Sequence, residues 1–317
     1  MKLWKISRPG MKKKKMFENI SSAPYLSGYT YRTFADHAIC DPGDTTHMQK
    51  VCHGINPQGV QPGDILYVTG VKVKEFFTKI APAIDVPFFV ITAQWDAGPD
   101  ESLIPLFSRH LVKWFTINAN IVHEKIVPIP LGLQNLHWRH NGNIQSDPLT
   151  YAGRAAVRKN KTLLASFSMH NNIGERTTCL NMAHRAFGGM LDVRQVQRGD
   201  RENDAFVRDY FNKASRYKFI LCPWGAGIDT HRLWEAMYMG CIPVTKYHEC
   251  YRDFKRDKYP IVFMDDWSEL SMLCNSLDHV ERLFKKPDLD DCIYSPYWKE
   301  LLSDERSHYT DRPIQGV

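Results

Sequence analysis

Residues 217–246 read YKFILCPWGAGIDTHRLWEAMYMGCIPVTK, and this stretch decides the fold. The apolar run over 217–222 predicts a buried strand, and Pro223-Trp224-Gly225-Ala226-Gly227-Ile228 follows it as a flexible loop. Asp229 or Thr230 can cap a helix over 231–239, since either side chain can accept from first-turn amides. Gly240 suits the left-handed residue that ends such a helix. The next strand begins at once with Cys241-Ile242-Pro243-Val244. Strand, loop, helix and strand in close succession make one unit of a parallel α/β sheet.

The same pattern extends in both directions. Apolar runs predict strands over 64–69, 86–92, 113–117 and 126–129, then over 161–165, 190–193, 217–221, 241–244 and 260–264. The runs are mostly continuous and do not alternate strictly, as expected of strands covered by helices on both faces. Helix-like spacing fills the gaps at 72–80, 175–186, 204–215, 231–239 and 267–277. Between the two sets of strands, residues 137–159 are rich in Asn, Gly, Asp, Arg and Pro, the composition of a connection between domains. The expected fold is therefore α/β, with two Rossmann-like, doubly wound domains facing a cleft. Their expected extents are 31–150 and 151–280. A poorly ordered basic arm over 1–30 precedes them, and a tail over 281–317 follows that can pack back on the first domain.

Composition narrows the function classes. The chain has 317 residues, 43% of them apolar and 12% aromatic, enough for two packed cores. Four of the charges behind its formal +6 form the run Lys12–Lys15, so the rest is no polyanion-binding surface, and no nucleic-acid partner is expected. The run reads as a solubilising arm or as a contact with an anionic membrane surface. No stretch approaches the roughly 18 apolar residues of a membrane span. Met16-Phe17-Glu18-Asn19 follows the lysines where a signal peptide would need an apolar core, so a cytoplasmic location is expected. Cys40, Cys52, Cys179, Cys222, Cys241, Cys250, Cys274 and Cys292 are scattered without a C-x-x-C pair. They read as free, mostly buried thiols of a reducing compartment, with no disulfide framework or zinc site.

In parallel sheets the chemistry gathers at the carboxyl ends of the strands. A glycine loop with outward N–H groups, leading into a positive helix N-terminus, is a phosphate site. Arg232 adds a fixed charge in the first turn, and Glu235 on the next turn can reach ribose hydroxyls. The blander reading makes Gly225 and Gly227 a simple turn, and Arg232 and Glu235 an exposed surface pair. Gly225-x-Gly227-x-x-Thr230 also echoes a dinucleotide fingerprint, but lacks its third glycine.

Phe219-x-Leu221-Cys222-Pro223-x-Gly225, then Asp229-Thr230-x-Arg232-Leu233-x-Glu235-Ala236, then Gly240-Cys241-Ile242-Pro243-Val244 resembles the donor-binding signature of exostosin-like glycosyltransferases. More broadly it is similar to the C-terminal half of enzymes with the two-Rossmann-domain glycosyltransferase B fold. A looser similarity covers 162–176, and also Phe115-x-x-Asn118 with Pro128-Ile129-Pro130-Leu131-Gly132. The resemblance implies that 151–280 binds the nucleotide sugar and 31–150 the acceptor. On it, Glu235 holds the ribose, and Pro223, Trp224, Gly225, Gly227, Asp229, Thr230 and His231 cradle the diphosphate and sugar. Arg176 and Arg232 bind the diphosphate, with Ser168 and Arg194 lining the same side. No resident cofactor is implied. The donor is a nucleotide diphosphate sugar, UDP-linked by preference, and its partner is a glycan or glycoconjugate.

Across the cleft, the strand over 86–92 delivers Trp95 and Asp96. Asp96 fits the base that takes the acceptor proton in an inverting transfer, and equally an Asx turn or helix cap. Trp95 fits a core aromatic or a platform for a sugar ring, and Thr69 and Asn118 stand at neighbouring strand ends. No metal ligand set is expected. Asp288-Leu289-Asp290 has a D-x-D spelling in a polar stretch, and His137-x-x-His140 has no third ligand. The sequence thus predicts a metal-independent glycosyltransferase. A non-catalytic binding scaffold of the same fold, a retaining transferase without a protein base, and a nucleic-acid binder using the basic arm stay open as alternatives.

Overall fold

The protein is described by a computed structural model covering residues 21–41, 52–136, 148–151, 153–197, 199–200, 203–254, 258–284 and 291–310. It is an α/β protein with two parallel five-stranded sheets. The first comprises β1 (His37–Ile39), β2 (Asp64–Thr69), β3 (Phe88–Ala93), β4 (Leu111–Thr116) and β5 (Ile126–Pro128). The second comprises β6 (Lys161–Ala165), β7 (Leu191–Val193), β8 (Tyr217–Leu221), β9 (Ile242–Lys246) and β10 (Val262–Met264). Five helices bear on the site: α1 (Gly28–Arg32), α2 (Ile173–Phe187), α3 (Asp204–Ala214), α4 (His231–Tyr238) and α5 (Ser295–Thr310).

Alternate residues of each strand serve opposite faces, and both faces are covered, which is why the runs are continuously apolar. In the second sheet, Leu163, Phe219 and Leu221 pack with Cys179, Ala183 and Phe187 of α2. Their neighbours Leu164 and Ile220 pack on the other side with Val207 and Phe211 of α3 and Leu233 and Trp234 of α4. In the first sheet, Leu66, Val68, Phe88 and Val90 meet Phe76 and Phe77 of the β2–β3 crossover. Tyr67, Phe89 and Ile91 face Tyr29 of α1 and Trp298 and Leu302 of α5. The chain's last described helix thus covers the first sheet, where Arg306 forks onto Asp36 at 3.0 Å and Asp64 at 3.1 Å.

The strand orders differ. The second sheet runs β10-β9-β8-β6-β7, so the chain leaves β6 in one direction and β8 in the other. Such a reversal is a topological switch point, with a crevice outside the carboxyl ends of the two strands. The first sheet runs β1-β2-β3-β4-β5 in chain order, without the reversal that a doubly wound sheet would show. The sequence also placed 21–30 in a loose arm. Instead Leu26, Ser27 and Tyr29 are fully buried, and Ser27 caps α1 by accepting from the Thr30 N–H at 3.1 Å.

The thiol expectation needs one correction. Cys40 and Cys52 are joined by a disulfide, with Cα atoms 5.9 Å apart. They stand 12 residues apart, Cys40 just after β1, a strand of three residues that leaves no pattern in the sequence, so nothing local marked them as a pair. Cysteine usage therefore no longer favours a reducing compartment. Cys179, Cys222, Cys241 and Cys250 are buried thiols as expected, and burial raises the pKa of each, that of Cys241 to about 12. Among the described residues, no helix is long and apolar enough to cross a membrane. Lys12–Lys15, the His137-x-x-His140 pair and the Asp288-Leu289-Asp290 spelling lie outside the described residues. Thiol titration of the denatured, unreduced protein should detect six free thiols. A count of eight would show that the bridge does not form.

Candidate functional site

A cavity of about 750 Å³ lies between the two sheets. Its first wall comes from the loops after β3 and β5 and from α1, with Gly28, Gln94, Trp95, Asp96, Leu131 and Asn135. Its second wall comes from the switch point of the second sheet, with Arg176, the 225–230 loop, His231, Arg232 and Glu235. The crevice that strand order alone would choose is therefore the one that is open.

Arg176, in the first turn of α2, ties the two switch-point loops together. Its Nε donates to the Trp224 carbonyl at 3.0 Å, and its guanidinium also donates to the Ser168 carbonyl. A Cβ on Gly225 would stand 2.9 Å from Arg176 Nη2, so glycine lets the loop close over the guanidinium. Glu175, its neighbour in the chain, is paired instead with Lys246 at 2.7 Å. Arg232 is buried on α4, and both guanidinium groups lie 5.9 Å from the Phe167 ring. Two cations flanking one ring repel each other, and an anion between them relieves that repulsion.

Two buried polar atoms on this wall have no hydrogen-bond partner among the described residues, Arg232 Nε and Thr230 Oγ1. Thr230 is the N-cap of α4, but its side chain makes no capping bond. Orphaned groups of this kind call for a ligand or water. One turn deeper on α4, Glu235 is 1% exposed and borders the same cavity. The loop amides do less than the sequence suggested. Gly225 N–H donates to the Gly227 carbonyl at 2.9 Å, and Asp229 N–H donates to Asn118 Oδ1 at 2.8 Å.

Asp229 is the main correction on this wall. It borders the cavity, but its carboxylate braces the two lobes. Oδ2 accepts from the Leu131 N–H of the first lobe at 2.9 Å, and both oxygens accept from Trp234 Nε1 of the second at 2.9 and 3.0 Å. Burial pushes its pKa up to about 7, against the pull of those donors. His231 spans the same gap, with Nδ1 2.8 Å from the Gly132 carbonyl. A carbonyl only accepts, so Nδ1 carries the hydrogen.

Other expected residues stand elsewhere. Arg194 pairs with Asp209 at 3.1 Å and lies 4.0 Å over the Phe206 ring, lining a separate hollow of about 330 Å³ with Lys161 and Tyr217. Trp224 carries the Lys246 ammonium 4.4 Å over its ring and, like the buried Pro223, is not among the cavity-lining residues. Ser168 contributes its carbonyl to Arg176 and caps the turn at Met169–Asn171. Thr69 is buried at the end of β2, away from the cavity lining. Trp95 stacks parallel to Trp114 at 6.2 Å and packs on Gly70, yet borders the cavity. Asp96 is exposed on the wall facing the arginines. Asn118 stands behind that wall.

The sequence reading missed Asn135 and gave Gln94 no role. Gln94 Oε1 accepts from the Tyr67 hydroxyl at 3.0 Å and Asn135 Oδ1 from the Tyr29 N–H at 2.8 Å. Both crowd Gly28, where a Cβ would come within 3.1 Å of each. Gln94 has a φ of 60°, a conformation that no local pattern announces.

A family model described as the RXYLT1 C-terminal domain matches residues 169–286. The match starts just after β6 and takes in β7 to β10, the 225–230 loop and α4, and none of the first sheet. Over that region the chain is similar to a xylosyltransferase-related family, consistent with an exostosin-like glycosyltransferase.

The Asp229 brace has a pH signature. A raised carboxyl pKa means that the folded state holds its proton more tightly, so this group's contribution is full below about pH 4 and is lost as pH rises towards 7. Asp229→Asn, which cannot ionise, should therefore gain on the wild type over that window, by at most about 1.4 kcal/mol per pH unit. Denaturant unfolding of both proteins at pH 4, 5.5, 7 and 8 checks it. A stability difference that is flat with pH would exclude the shift.

Proposed function

We propose that the protein is a glycosyltransferase moving a monosaccharide from a nucleotide diphosphate sugar to a hydroxyl of a glycan or glycoconjugate, with inversion and without a metal ion. One observation carries this reading: Arg176, Arg232, Glu235 and the uncapped start of α4 converge on one cavity, with Asp96 on its opposite wall. In this reading the two guanidinium groups and the helix start hold the diphosphate. Glu235, a buried acceptor, takes the ribose hydroxyls, and the acceptor sugar enters along the wall of Gln94, Trp95 and Asn135. A UDP-linked pentose heads the donors to test, because the matching family is xylosyltransferase-related.

The chemistry follows from the charges. The acceptor oxygen attacks the anomeric carbon while Asp96 takes its proton. The bond from that carbon to the diphosphate breaks, and the electron pair leaves with the nucleoside diphosphate. Negative charge grows on the leaving group as this happens. Arg176 and Arg232 are buried side chains already in place beside it, so little reorganisation is needed as that charge develops. They supply what a divalent cation supplies in other transferases.

Glu235→Ala should weaken donor binding more than tenfold with the fold intact, since a hydrogen bond to a charged group contributes about 1.5–3 kcal/mol. Calorimetric titration with UDP-sugars reads this directly, and an unchanged affinity would remove Glu235 from the site. Asp96→Asn should bind donor normally and lose at least about a hundredfold in turnover, within the range of general-base catalysis. Normal turnover in that variant would clear Asp96 of the base role. Transfer should persist in EDTA, and an inverted anomeric signal should appear in the product by NMR.

A further inference from the structure

Asn118 follows β4 and is left-handed, with a φ of 48°, a conformation that Asn tolerates far better than most residues. It does not border the cavity, but its amide reaches both walls. Nδ2 donates to the Trp95 carbonyl at 2.9 Å, in the loop that carries Asp96, and Oδ1 accepts from the Asp229 N–H at 2.8 Å, in the donor-side loop. The neighbourhood is tight on both sides. A Cβ on Gly227 would stand 2.8 Å from Asn118 Nδ2 and 2.9 Å from the Asp96 carbonyl. On the other side, Gly98 wraps the Asn118 carbonyl too closely for any side chain, and Asn120 donates to the Ala97 carbonyl. The base-bearing loop is therefore fastened to 118–120, and the donor loop is fastened to the same amide.

We propose that Asn118 is a positioning residue that sets the distance between Asp96 and the bound donor. The claim rests on the glycosyltransferase reading for its chemical consequence, though not for its structural content. One planar amide, donating to one lobe and accepting from the other, fixes the two loops relative to each other. No carboxylate can replace it, because an ionised oxygen would face the Trp95 carbonyl where a donor is needed.

Two substitutions separate its halves. Asn118→Asp keeps the acceptor for Asp229 N–H and loses the donor to Trp95. Asn118→Gly loses both and keeps the left-handed backbone. At pH 8, Asn118→Asp should hold donor affinity within about threefold and lower turnover about a hundredfold, the scale of an ångström misplacement. Asn118→Gly should lose donor affinity as well. Combining Asn118→Asp with Asp96→Asn should give turnover no lower than Asp96→Asn alone, since the first acts through the second. Additive losses would overturn the proposal. Hydrogen exchange provides a readout independent of catalysis. Asn118→Asp should accelerate exchange over 94–98 only, and Asn118→Gly over both 94–98 and 225–230. Unchanged exchange in both variants would overturn the coupling whatever the enzyme does. The predicted exchange pattern in a protein that transfers no sugar would sink the transferase reading and leave the coupling standing.

Discussion

A buried carboxylate has to be met by N–H donors, and Asp229 draws them from both lobes. Leu131 supplies one from the first lobe and Trp234 another from α4 in the second. Because an unmatched buried charge is so unfavourable, the two lobes can sit together only in arrangements that keep these donors in place. Other polar contacts across the interface are built in the same way. Asn118 holds the Asp229 N–H, and Arg252 reaches from the second lobe to the carbonyls of Ala119, Ile121 and Ile126, the last at 2.9 Å. These are bonds to backbone atoms at strand ends, so they fix loops more than they fix cores. The cavity inherits its shape from them.

Asp229 and Arg232 show opposite treatments of buried charge within one short segment. The carboxylate is surrounded by donors, and even so its proton affinity is raised to near neutrality. Arg232 lies three residues along the chain and is left with an Nε that no described residue satisfies. Asp229 therefore belongs to the architecture, whereas Arg232 keeps a donor for the cavity it borders, although the sequence motif presents them side by side as equals.

How much of this the sequence disclosed depends on the range of the interaction involved. Strands were legible because burial on two faces leaves unbroken apolar runs, and those expected match the observed elements to within two residues at each end. Strand β1 was not legible, since its three residues carry too little pattern. Helix α5 was missed because its inner stripe is Trp298, Leu302 and then Arg306, a charge whose partners Asp36 and Asp64 lie far back in the chain. On the second wall, Arg176, Gly225, Arg232 and Glu235 were found because strand, loop and helix place them locally. Asn135 and the brace made by Asp229 were not, for each depends on a partner about a hundred residues away.

Arg194 shows the limit of reading strand ends alone. It follows β7, and the rule that chemistry gathers at carboxyl ends of strands would place it beside Arg176. The observed order puts β7 at the edge of the sheet, beyond β6, while the switch point lies between β6 and β8. A residue at the edge faces the outer helix α3, which is where Arg194 finds Asp209 and the Phe206 ring. Strand order, which no single-strand pattern encodes, therefore selects among chemically equivalent arginines. Arg176 follows the strand on one side of the reversal, and Arg232 heads the helix that follows the strand on the other. They meet because the chain turns in opposite directions between them, and that reversal brings two guanidinium groups to one aromatic ring.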